Sequence, residues 1–318
     1  MKNSSKIWAV SLLLCLVLPN INLAQTCSCA GAPLISSQSI STASKGNLFV
    51  GLTYEFKEID NLYTGSQQLE NNTVERNTQS SLLEINYGIT NRLTISGTLT
   101  YVQKQRLSIA NNEELITRGI GDGVILLKYV LHQNTMNEQY QLAIGGGAKT
   151  PLGKTSLKED NIALNLDMQP GTGAWDGIAW SYFSKTFAPA STINFFIYNT
   201  FRLTGSAERF DQNDKYKFGN EWVVNTGITD KLFSDLSYVA MLSYRSTSSD
   251  QRNGNPLPNT GGKWISLEPA LQYQFTKGLS AKISGKIPVY QYLNGLQPTT
   301  SYTTSISIFY NFGEKVIF

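Results

Sequence analysis

The stretch GIGDGVILLKYVL, Gly119 to Leu131, decides how this chain folds. A strand sends successive side chains to opposite faces. One parity set runs Gly119, Gly121, Gly123, Ile125, Leu127, Tyr129, Leu131 and carries no charge; the other runs Ile120, Asp122, Val124, Leu126, Lys128, Val130 and carries both. The three glycines do not make a phosphate loop, which needs a helix directly behind them and commonly ends in Lys-Ser or Lys-Thr. β-Branched residues and a tyrosine follow instead, so the stretch reads as a strand with an oily face and a charged one. Soluble and membrane barrels both contain such strands, and the rest of the chain has to separate them.

The chain opens with MKNSSKIWAVSLLLCLVLPNINLAQ, where Lys2 and Lys6 precede an apolar run from Ile7 to Leu18 and the small-residue position falls at Ala24. This is the pattern of a secretory signal peptide over 1–24. The run is shorter than the roughly 20 apolar residues of a membrane-spanning helix. Loss of Lys2 and Lys6 takes the formal charge from +3 to +1, which points away from nucleic acid as a partner. Charged residues make up 15% of the chain, well under the soluble average of roughly 25%, beside 16 Tyr and 26 Gly.

Residues 25–45 form an N-terminal segment that either hangs in the periplasm or plugs a barrel. It holds Cys27 and Cys29 in CSCAGAP, while Cys15 leaves with the signal peptide. Cysteines one residue apart make a strained disulfide at best, and two thiols fall short of a metal site. Lipid attachment at Cys27 would want a small residue just ahead of it, where Thr26 stands. No cofactor or metal site is expected.

From residue 46 to 318 the chain reads as one unit. About twelve alternating segments fall near 46–57, 78–90, 92–105, 118–131, 138–150, 172–186, 192–204, 215–229, 232–246, 263–276, 278–292 and 301–313. Short connections (89–93, 132–137, 188–191, 228–232, 275–279) alternate with long ones (58–77, 106–117, 151–171, 205–214, 247–262, 293–300). Three of the short ones share an apolar-Thr-polar-polar-Leu form: Ile89 to Leu93, Ile228 to Leu232 and Phe275 to Leu279. Strict alternation of tight turns and long loops belongs to outer-membrane barrels.

Face composition agrees. Tyr302, Thr304, Ile306, Ile308, Tyr310 and Phe312 share one face of the last segment, opposite Ser301, Thr303, Ser305, Ser307, Phe309 and Asn311. An apolar face edged by tyrosines suits a lipid-facing exterior with aromatic girdles. The fold class is therefore all-β: a transmembrane antiparallel up-and-down β-barrel of about twelve strands, in the outer membrane of a Gram-negative bacterium. Its partners are outer-membrane lipid, the barrel assembly machinery and a small-molecule substrate. Pro269 and Pro288 fall inside predicted strands, where proline removes a ladder hydrogen bond, so bulges or local breaks are expected there.

Parity, strand by strand, sends Glu55, Glu84, Asp122, Glu221, Asp235 and Glu268 into the lumen with Lys128, Lys149, Arg202, Arg245, Lys282 and Lys286. The signs balance, unlike the arginine and lysine rings of an anion-selective pore. Asp122 and Lys128 lie about 20 Å apart along the strand, so each needs a partner elsewhere, with Lys149 and Glu84 as candidates. Catalysis is not expected: the chain has a single histidine, His132, placed in a short turn.

GIGDGVILLKYVL, LAIGGGAKTPLGKT (Leu142 to Thr155) and MQPGTGAWDGIAWSYFSKTF (Met168 to Phe187) together resemble successive strands of the outer-membrane barrel family named for the MetA pathway of phenol degradation. Leu152-Gly153 stands where that family often has Pro-Thr-Gly. Its members are described as outer-membrane transporters, so the resemblance implies uptake of small apolar or aromatic compounds. A non-transporting structural or surface-binding barrel is the alternative.

Overall fold

The computed structural model describes residues 42–133, 139–187, 192–209 and 214–313. The signal peptide, Cys27, Cys29 and most of the N-terminal segment lie outside these residues. Twelve strands make the wall: β1 (Leu48–Ile59), β2 (Val74–Gly88), β3 (Leu93–Ser108), β4 (Gly123–His132), β5 (Tyr140–Thr150), β6 (Asp176–Thr186), β7 (Asn194–Leu203), β8 (Glu221–Lys231), β9 (Leu236–Thr247), β10 (Gly262–Gln274), β11 (Leu279–Thr299) and β12 (Tyr302–Asn311). Each pairs antiparallel with the next, and β12 closes on β1 from Phe49↔Asn311 to Glu58↔Tyr302. Closure leaves no free edge, which is what backbone amides need when no water is at hand.

The two faces separate cleanly. Leu52 (55% exposed), Ile125 (52%) and Ile308 (52%) stand outward with Leu83, Ile95, Leu99, Leu127 and Ile144. Ser80, Asn86, Thr94, Thr200, Ser243 and Ser307 are buried inside. A soluble barrel would reverse this arrangement, because only a hydrocarbon surround rewards apolar side chains for pointing out. Tyr87, Tyr129, Tyr273 and Tyr310 edge the band towards the short turns; Tyr101, Trp222, Tyr290 and Tyr302 edge it towards the long loops.

Two of the short turns are built as their sequences suggest. The Thr90 hydroxyl accepts the amides of Arg92 and Leu93, and Thr276 does the same for Gly278 and Leu279. The third is displaced. β8 runs through Ile228 to Lys231, and the turn falls at Leu232 to Asp235, where the amides of Leu232 and Phe233 reach the Leu236 carbonyl. Asp235 is therefore exposed in a turn and does not face the lumen; its carboxylate accepts the Ser234 hydroxyl.

Other boundaries differ for physical reasons. The opening stretch is not one strand: Glu113–Ile120 pairs with the far half of β3, the chain breaks at Gly121 and Asp122, and β4 pairs with the near half. The break reverses the parity, so Gly119 and Gly121 are buried and Ile120 is 54% exposed, opposite to the assignment from simple alternation. The loop expected over 293–300 falls in β11 as far as Thr299, and this strand of 21 residues runs past its wall neighbours because Asn61–Gly65 pairs with its end. Pro288 lies at a register shift, and the ladder opposite Glu268 and Pro269 is interrupted. The segment read as beginning at 172 becomes a strand only at Asp176.

Candidate functional site inside the barrel

Near the long-loop rim, successive strands each contribute one charge to a belt of alternating sign. Lys149 Nζ on β5 lies 2.8 Å from Asp122 Oδ2 just before β4 and 3.2 Å from Asp176 Oδ2 on β6. Arg202 on β7 reaches Asp176 at 3.6 Å and Glu221 on β8 at 2.9 Å. Glu221 then accepts Arg245 Nε of β9 at 2.5 Å, and the Arg245 guanidinium stacks 4.8 Å from the Trp264 ring on β10. The register dictates the order, since Lys149 faces Asp176 and Arg202 faces Glu221 across their ladders. The pairs run along the wall, not across the lumen. Asp122, Lys149, Asp176, Arg202 and Glu221 are almost wholly buried, and each is stable there only because its neighbours bear the opposite sign.

Asp122 also captures backbone. It accepts the amides of Gly153 (3.1 Å) and Thr172 (2.9 Å), while Lys149 donates to the Ala174 carbonyl (2.9 Å). The connection 151–175 is thereby drawn into the barrel mouth. Lys104 of β3 donates to the carbonyls of Asp167 and Gln169, each at 2.8 Å, and the Thr117 hydroxyl donates to Met168 O at 2.7 Å. Arg76 of β2 holds the Asp167 carboxylate at 2.6 Å. The two limbs touch at Gly153 and Gly171, where a Cβ on Gly153 would meet Gly171 Cα at 2.4 Å.

Leu166, at the tip, packs against Tyr216, Phe218 and Leu257. Tyr216 and its strand Asp214–Lys217 belong to a small sheet with Ser206–Arg209, Gln251–Arg252 and Asn255–Pro256, outside the wall. Asp250 ties that sheet down by accepting Tyr216 Oη (2.5 Å) and the Gly219 amide (2.7 Å). Burial pushes its carboxyl above the ordinary range, opposed by those hydrogen bonds.

Among the described residues, the other side of the lumen keeps free space. A recess with a cavity volume of about 70 Å3 opens between β8, β9, β10, β11, β12 and β1, lined by Glu221, Arg245, Trp264, Lys286 and Glu55 among others. Lys286 lies 3.9 Å from Glu268 and donates to Ser243 Oγ at 3.2 Å; Lys57 lies 3.6 Å from Glu55. Towards the short turns, Lys128 sits 5.2 Å over the Trp180 ring, Glu84 accepts the Asn86 amide at 2.8 Å, and Lys282 stands opposite Ser307. His132, at the end of β4, stacks on Tyr140 at 4.0 Å.

Alternation by itself omits several members of this site. Lys57 shares the parity of Glu55 and is legible on that ground. Asp176 stands at the first residue of β6 and is found only by asking what faces Lys149. Lys104 and Asp167 acquire their roles from a loop that no periodicity describes.

No family model matches the chain, and no curated relative matches it. The fold does match a solved structure, the COG4313 outer membrane channel from Pseudomonas putida F1, with a TM-score of 0.68 at 12% identity, over 85% of this chain and 97% of that one. The likeness is one of fold alone. The CymD monoaromatic hydrocarbon channel aligns with a TM-score of 0.44 at 10% identity, over 86% of this chain and 90% of that one, too loosely to bear on the argument.

Proposed function

We propose that this chain is a channel in the outer membrane of a Gram-negative cell, with its long loops outside. It takes up small compounds, apolar and aromatic ones among them, along the unfilled side of its lumen. The observation that carries the reading is the recess of about 70 Å3 bounded by charged side chains and an indole, in a barrel whose opposite side is closed by a folded-in loop. A merely structural barrel gains nothing by leaving polar side chains around free space. The fold match to an outer-membrane channel supports the same reading.

The test is conductance of the refolded protein in planar bilayers, with liposome swelling in neutral solutes. A channel gives small discrete steps in simple salts. The absence of any step, with normal heat-modifiable folding, would favour the competing reading, a non-transporting barrel that binds at its long-loop rim. That reading draws its support from the packed side of the mouth. Orientation is tested by labelling intact cells at introduced cysteines: the 58–77 and 247–262 regions should react, and position 230 should not.

A further inference from the structure

Given the channel reading, on which this step rests, we infer that the recess is a binding subsite for small monovalent organic carboxylates with a flat apolar body. Lys57 of β1 and Lys286 of β11 both stand opposite Thr303 of β12, one on each side, and all three point inward. Strands about 4.8 Å apart put the two lysine backbones roughly 10 Å from each other, so their flexible stems converge over a single threonine.

These two ammonium groups are held differently from the belt. A charge-assisted hydrogen bond closes to about 2.7–2.9 Å, but Lys57 stays 3.6 Å from Glu55 and Lys286 stays 3.9 Å from Glu268. Lys286 spends one N–H on Ser243. Each ammonium has three donors, more than these contacts use. The recess carboxylate Glu221, by contrast, is engaged by Arg202 and Arg245 at 2.9 and 2.5 Å. The most buried carboxylate, Glu221, is committed to two guanidinium groups, while Lys57 and Lys286 keep donors to spare, so the ligand charge that fits is negative.

The remaining walls describe the rest of the ligand. The Trp264 ring is fixed by its Nε1–H donating to Thr299 Oγ1 at 3.0 Å, and Val223 and Pro288 supply apolar surface beside it. Glu55 and Glu221 on the same wall penalise a second negative charge, which selects a carboxylate over a phosphate monoester.

The probe is benzoate, compared with benzamide and benzyltrimethylammonium, which carry a similar ring without negative charge. Benzoate should interrupt single-channel current in a concentration-dependent way, with the other two ineffective over the same range. In the double variant Lys57→Gln, Lys286→Gln the half-blocking concentration should rise at least about tenfold, as expected for losing charged hydrogen bonds. Equal block by all three probes, or an unchanged half-blocking concentration in the double variant, overturns the subsite. Calorimetry of benzoate binding to the refolded protein separates this from the channel reading. Saturable heat that the double variant loses keeps the subsite even if no current is ever seen; no heat in the wild type removes it even if the barrel conducts.

Discussion

The two sides of the barrel begin with the same kind of inward face and end in different states. Along β2 to β7 the inward polar side chains meet a second layer, the 151–175 connection, and become a packed core of buried ions and hydrogen-bonded carbonyls. Along β8 to β12 and β1 no segment enters among the described residues, the ion pairs of Lys57 and Lys286 stay loose, and free space remains. A polar wall therefore does not by itself make a pore. What decides is whether backbone groups arrive to use its donors and acceptors, and here they arrive where two glycines let the limbs of one loop touch.

The strongest way to break this contrast is Lys149→Met. It leaves Asp122 and Asp176 buried without their shared cation, and should cost about 3–5 kcal/mol in urea unfolding from liposomes. A loss below 1 kcal/mol would mean that the filled side is not held by the belt. Leu127→Arg puts a charge on the outer face and should cost about 2–4 kcal/mol in the same assay if it lies near the bilayer midplane. Were it tolerated while Lys149→Met was not, inside and outside would still stand, but the depth of Leu127 would need moving.

Gly171→Val sharpens the comparison in another way. The new side chain must push the limbs of the loop apart, at about 1–3 kcal/mol, and should raise conductance by opening the filled side. Lower stability with unchanged conductance would show that this side never limited the current. The smallest effect is expected on the outer sheet, from Arg252→Ala. The hydrogen bond from Arg252 holds the Asp214 carboxyl below its ordinary range. A folded-state pKa below the unfolded one adds stability above the unfolded value, near pH 4, and loses it as pH falls through the folded value. For so exposed a pair the gain at neutral pH is about 0–1 kcal/mol, and in Arg252→Ala it and its pH dependence should shrink to the part that the Asn253 hydrogen bond supplies.

The wall was legible because a closed sheet between lipid and lumen imposes a period of two on every strand. The turns were legible where a threonine hydroxyl caps them, as at Thr90 and Thr276. Thr229 has the same neighbours but continues in β8, because pairing with Val239 of β9 carries the ladder past it; Asp235 was misplaced for that reason. The loop residues stayed hidden. Asp122 announced a need for partners, and Lys149 could be named by parity, yet the amides of Gly153 and Thr172 come from a segment without period. The recess was equally out of reach, since free space is set by what fails to fill it.

The seam between β12 and β1 has one more consequence. The Phe312 amide donates to the Leu48 carbonyl at 2.8 Å, so the described ends of the chain meet at the short-turn rim. To the closed wall, then, the starting point is arbitrary. A permuted gene beginning at the tight tip Asn253-Gly254, with residue 313 linked to residue 47, would keep all twelve ladders while changing which one joins the most distant parts of the chain. Loop-closure entropy makes the pairing of greatest sequence separation the slow one. The last ladder to zip is thus a property of where the polypeptide is cut, and permutation would move that step around the ring without altering the finished cylinder.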